Sequence, residues 1–69
     1  MRRFVLVEGK SSKFWEVARE GKSLTVNFGR IGTAGQTNTK TFPDAAAASK
    51  HAQKITDEKL AKGYRETKS

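Results

Sequence analysis

Residues 23–29 (SLTVNFG) alternate without a break, with Leu24, Val26 and Phe28 on one side and Ser23, Thr25 and Asn27 on the other. That period of two marks a strand with one face buried. Residues 13–20 place Trp15 and Val17 on one face and Phe14, Glu16 and Ala18 on the other. Residues 2–8 (RRFVLVE) alternate loosely, but their β-branched and aromatic side chains suit a pleated surface. Gly9-Lys10-Ser11-Ser12 and Glu20-Gly21-Lys22 read as turns, the second a tight hairpin in which Gly supplies a positive φ. A Gly-rich loop, 29–35, leads into a polar strand over 36–42. At Pro43-Asp44 the period changes to that of a helix, with Ala45, Ala48, Ala52, Ile55 and Lys59 on one stripe and Leu60 beside it. Asp44 is placed to cap the helix, five alanines favour it, and Lys62-Gly63 ends it. The pattern predicts an α+β fold: a four-stranded antiparallel meander with one C-terminal helix packed on one face. Residues 1–65 form a single domain, Tyr64 folds back as an anchor, and residues 66–69 fray.

Composition narrows what such a domain can do. The chain has 69 residues, and its hydrophobic fraction of 35% includes many alanines, so the core rests on some fifteen larger side chains. These run from Phe4 to Tyr64 and include Trp15, Val17 and Leu24, with Val7, Ile31 and Leu60 counted among them. Ligand pockets commonly enclose about 300–1,000 Å³, which a core of this size has little room for, so neither an enzyme nor a small-molecule substrate is expected. Without Cys there is no disulfide framework, thiolate zinc site or thiol nucleophile. One histidine, His51, builds no metal site by itself, so no metal or cofactor is expected; placed off the apolar stripe, it is expected to be solvated. The apolar run Phe4–Val7 is shorter than the ~7–15 residues of a signal-peptide core, and nothing approaches the ~20 apolar residues of a membrane span. A cytoplasmic protein without a membrane partner is the expectation.

Charge supplies the functional signal. Lys and Arg number 14 against 7 Asp and Glu, a formal net charge of +7. No carboxylate occurs between Glu20 and Asp44, where Lys22, Arg30 and Lys40 stand. An acid-free basic stretch attracts polyanions, because neutralised phosphates release condensed counterions. Gly21-Lys22-Ser23 lacks the upstream glycine of a phosphate-binding P-loop and lies between strands, and the G-x-x-G-x-x-G of 29–35 is not a dinucleotide fingerprint. That loop still gathers three of six glycines beside Arg30, Thr33 and Gln36. Successive glycine turns can aim several N–H groups at an anion, or can simply relieve positive φ in a long hairpin connection.

Lys13-Phe14-Trp15-Glu16-Val17, then Phe28-Gly29-Arg30-Ile31-Gly32-Thr33-Ala34-Gly35-Gln36, then Phe42 before an Ala-rich helix, then Glu58-Lys59 and Lys62-Gly63-Tyr64 resemble the WGR domain in order and spacing. The resemblance covers about residues 4–65, and the G-R-I-G-T-A-G-Q block is its most specific part. It implies a DNA-contacting module, as in poly(ADP-ribose) polymerases, where the domain engages breaks near a 5′ end. On that resemblance Phe28, Gly29 and Arg30 take the places of the Trp-Gly-Arg triplet. The first packs on a terminal sugar and the last bridges toward neighbouring domains. Ser12 falls where some members have a phosphate-contacting Asn. Phe28 keeps a π face but loses the indole N–H, and Thr25 and Asn27 stand where polymerase members often carry Trp and Arg, which weakens two further DNA contacts. No polymerase activity follows from a chain this small.

The sequence therefore predicts a non-enzymatic nucleic-acid-binding module, with DNA, nicked or 5′-phosphorylated ends included, as partner. Lys13, Lys22, Arg30 and Lys40 would contact phosphate, the loop with Thr33 and Gln36 would offer N–H groups, and Phe28 would stack. The alternative is a module that docks another protein domain through the same loop.

Overall fold

The computed structural model describes residues 2–67. Strands β1 (Arg2–Glu8), β2 (Ser11–Glu20), β3 (Ser23–Arg30) and β4 (Gln36–Thr41) precede helix α1 (Ala45–Ala61), and a short β5 (Arg65–Thr67) follows it. The sheet is antiparallel throughout, in the order β4-β3-β2-β1-β5. It therefore has five strands, not four. The expected fraying at the C-terminus is corrected over Arg65–Thr67, which pair with Arg3–Val5; residues 68–69 of that expected tail lie outside the described residues. β5 pairs with β1, and beside that ladder Arg2 grips Glu66 through two hydrogen bonds of 2.8 and 2.9 Å, a bidentate pair.

Register fixes the two faces. Phe4 stands opposite Trp15, Trp15 opposite Phe28, and Val17 opposite Val26. With Leu24 these side chains point toward α1, which presents Ala48, Ala52, Ile55 and Thr56 to them. Phe4 and Trp15 are essentially sealed from solvent, their rings 5.4 Å apart. Asp44 caps the helix by accepting the Ala47 N–H at 2.7 Å, and Gly63, at φ 106°, turns the chain back so that Tyr64 joins the core edge. Three residues counted toward the core are exposed: Val7, Ile31 and Leu60. Buried Thr56 occupies the face that Leu60 was expected to flank, and His51, expected to be solvated, is half-buried with its ring 5.1 Å from that of Phe42.

The face away from the helix carries a polar row that crosses four strands. Arg3, Glu16, Asn27 and Thr37 are consecutive register partners. Glu16 accepts from Arg3 at 3.4 Å and from Asn27 at 3.2 Å, and Thr37 donates to Asn27 at 3.4 Å. Phe14 shares this face with its register partner Val5 and with the exposed Val7, yet it is itself only 4% exposed. The Arg3 guanidinium lies over its ring at 4.9 Å, and the 31–35 loop folds against it. That close approach dictates glycine at two positions. A Cβ on Gly29 would come within 2.9 Å of the Gly35 Cα, and one on Gly35 within 2.6 Å of the Phe28 carbonyl oxygen and 2.7 Å of the Phe14 ring.

Two outcomes follow. Gly35→Ala combines a clash with a φ of 75°, whereas Gly32→Ala, at φ 97°, meets open space. Backbone strain of this kind costs about 1–3 kcal/mol. Gly32→Ala should lose only that, and Gly35→Ala clearly more, in denaturation followed by circular dichroism; equal losses would show that the loop does not rest on Phe14. Second, the hydrogen bonds from Arg2 hold the Glu66 carboxyl below its ordinary value of 4.5. A lowered folded-state value means that the stabilisation is complete above about pH 4.5 and is lost as pH falls through the lower value. Protection of the Arg65–Thr67 amides, measured as observed exchange relative to the intrinsic rate at each pH, should therefore fall on acidification below that point, and in Glu66→Gln that fall should vanish.

Candidate functional site

The ends of β2 and β3 meet the last turn of α1 at an open groove of about 350 Å³. Lys13 and Phe14, Phe28, Gly29 and Arg30, Lys59, and Tyr64 line it. Lys13 and Arg30 are direct cross-strand partners. Like charges so placed repel each other, and both side chains are exposed. Neither has a carboxylate within 4.0 Å among the described residues, where the ion pairs are Arg2–Glu66 and Arg3–Glu16.

Lys59 comes from the opposite layer. Its ammonium lies 5.4 Å from the Tyr64 ring centre and 5.8 Å from that of Trp15, within cation–π range. Burial, chiefly, and then Lys62 hold its pKa below the ordinary 10.5; Glu58 opposes that shift and Lys13 adds to it. Three cations, Lys13, Arg30 and Lys59, thus converge on a groove whose wall is aromatic. Such an arrangement suits a polyanion with ring-bearing units: the cations neutralise phosphate, and the ring faces accept a sugar or base.

The expected site residues do not all gather here. Phe28, Arg30 and Lys13 do, and Gln36 pairs with Phe28 on the same face. Lys40 stands beside Leu24, about 13 Å farther along the strand, with its ammonium 5.3 Å over the Phe42 ring. Lys22 occupies the far hairpin turn, and its carbonyl accepts the Phe42 N–H. Ser12 holds the loop in place through its carbonyl, which accepts the Ile31 N–H at 3.1 Å. Thr33 spends both its N–H and its hydroxyl on the Arg30 carbonyl, at 3.1 and 2.7 Å. Two loop amides are therefore engaged internally. Thr33 and Gly35 also approach Gly29 from the side opposite the Phe28 and Arg30 side chains, since neighbours on a strand alternate. The loop and the aromatic–cation groove thus lie on different faces.

Lys59 and Tyr64 were not among the expected site residues. The signal was in the helix pattern: a lysine in line with Ala48, Ala52 and Ile55 has to extend its stem across the core edge and bring its charge out at a defined place.

An antiparallel sheet under one helix, with a basic aromatic groove at the Phe-Gly-Arg end, defines a small α+β domain. The chain belongs to the WGR domain family, whose model matches residues 1–69. It is similar to two Escherichia coli proteins: YehF, 46% identical over 93% of this chain, and YfeS, 42% identical over 94%. A crystal structure of a Bacteroides fragilis protein superposes with a TM-score of 0.94 at 46% identity over 97% of the chain. The chain spans 23% and 27% of the length of the two relatives and 19% of the solved protein.

Because its pKa is lowered, Lys59 is less favourable to folding while protonated; stability is gained as pH rises toward 10.5 and lost as it falls. Lys59→Met keeps an apolar stem against Trp15 and Tyr64 and removes the charge. At neutral pH the variant should melt no lower than the parent, while the rise in Tm on adding inorganic polyphosphate should shrink. A lower melting point with an undiminished polyphosphate effect would make Lys59 a packing residue only.

Proposed function

We propose that this domain is a non-enzymatic nucleic-acid-binding module that holds DNA by its backbone in the groove between Lys13, Phe28, Arg30, Lys59 and Tyr64. The WGR family is known in nucleic-acid-binding contexts, and the chain is a member. The observation that carries the reading is the uncompensated charge: Lys13 and Arg30 face each other without a carboxylate partner among the described residues, and Lys59 lines the same groove. An anion relieves that repulsion, and Phe28 and Tyr64 favour one that carries sugars or bases. Guanidinium and ammonium groups beside ring faces suit phosphate and stacking contacts more than base-edge readout, so binding is sequence-tolerant.

A second reading, docking of another protein domain at the same end, draws on Ile31, 43% exposed next to Arg30. It also draws on the relatives, in which most of the length lies outside the matching segment.

Fluorescence titration of intact, blunt and nicked 5′-phosphorylated duplexes decides between them. Each phosphate contact contributes about −0.9 to the slope of log K against log[salt]. Removing Lys13, Arg30 or Lys59 one at a time should weaken binding and flatten that slope by about one contact each, whereas Lys22→Ala and Lys40→Ala should change it little. Binding weaker than ~100 μM to every duplex at physiological salt, the weak limit of ordinary non-specific affinity, would overturn the nucleic-acid reading and leave the docking one.

A further inference from the structure

We propose that the Lys59 amine is an acceptor of acyl groups from acyl phosphates, with the surrounding cations seating the phosphate of the donor. Lys59 is half-buried at the groove, its ammonium within cation–π range of both the Trp15 and Tyr64 rings, so its position is restricted where exposed lysines sweep freely. The charged groups that act on it are Lys62 and Glu58 from α1 and Lys13 from β2, with Arg30 of β3 sharing the groove. Only the unprotonated amine is a nucleophile, and burial together with the neighbouring cations enlarges that fraction near neutral pH. The same cations attract a phosphate-bearing reagent, and Arg30 presents the planar fork that fits phosphate oxygens.

The step balances without an oxidant or reductant. The nitrogen lone pair attacks the acyl carbon, a C–N bond forms, and the C–O bond to phosphate breaks. The electron pair leaves on the phosphate oxygen, and the amine proton passes to phosphate or water. Cations around the departing phosphate stabilise charge where it develops. The product is a neutral amide, bulkier than the ammonium it replaces, in the middle of the cation cluster. Acylation therefore removes one of the three cations that line the groove and make it attractive to an anion.

The test uses the full chain and acetyl phosphate in mildly alkaline buffer, with initial rates at each lysine read by peptide mass mapping. Lys50 and Lys54, exposed on the same helix, are internal controls. Lys59 should acetylate several times faster than either, and Arg30→Ala should slow Lys59 while leaving the controls unchanged. With acetic anhydride, which carries no phosphate, Arg30→Ala should leave the Lys59 rate unaltered. A Lys59 rate equal to that of Lys50 and Lys54 would overturn the proposal, and so would an Arg30→Ala effect that is the same for both donors. No nucleic acid enters this assay, so its failure leaves the DNA reading standing, and the failure of that reading leaves this one.

Discussion

The contact between Phe4 and Trp15 beneath α1 sets the geometry from which the other features follow. A single helix over a single sheet has one buried interface, and here its two sides are unequal. The sheet supplies the bulk, two aromatic rings 5.4 Å apart, while the helix supplies Ala48, Ala52 and Thr56. Small residues let the helix axis come close to the strands, and the protruding ring of Trp15 fixes where its last turn passes. Lys59 therefore emerges near Trp15, and the left-handed Gly63 returns Tyr64 to within cation–π range of the same ammonium. The groove is a by-product of how this core is filled.

The opposite face solves a different problem. An antiparallel sheet tolerates water on one side if that side is polar, and the Arg3–Glu16–Asn27–Thr37 row meets the condition. Phe14 violates it. The loop after β3 is spent on covering that ring, which requires Gly29 and Gly35 to lie almost in contact and binds Ile31 and Thr33 to the ends of β2 and β3. A segment committed in this way works for the fold, and the side chains that alternate with Gly29, namely Phe28 and Arg30, are left to face the groove.

Much of this was legible in the sequence. Alternation over 23–29 and the shift to a helical period at Asp44 reflect burial of one face, which any sheet-and-helix layer imposes, and both match β3 and α1. The fifth strand was not legible, because three residues such as Arg65-Glu66-Thr67 carry no periodicity; it depends on a pairing with Arg2 across almost the whole chain. The loop was ambiguous for a related reason. Glycines that free N–H groups for a ligand and glycines that let two backbone segments touch look alike until the partner, Phe14, is placed. Leu60 shows the converse, an apolar residue one step off the stripe that ends in solvent while Thr56 is buried.

Charge at the groove links the two proposals made for it. Lys13 opposite Arg30 costs stability in the free domain, and burial near other cations makes the protonated state of Lys59 costly as well. An anion in the groove reverses both effects, since a negative neighbour favours the ammonium. By linkage, anion binding draws the Lys59 amine toward its protonated form, and deprotonation weakens anion binding by the same factor. On the two proposals, the nucleophilic amine and the ligand-holding ammonium are alternative states of one side chain, selected by whether an anion fills the groove. A domain built this way is most open to acylation when unoccupied, and once acylated it is least able to be occupied again.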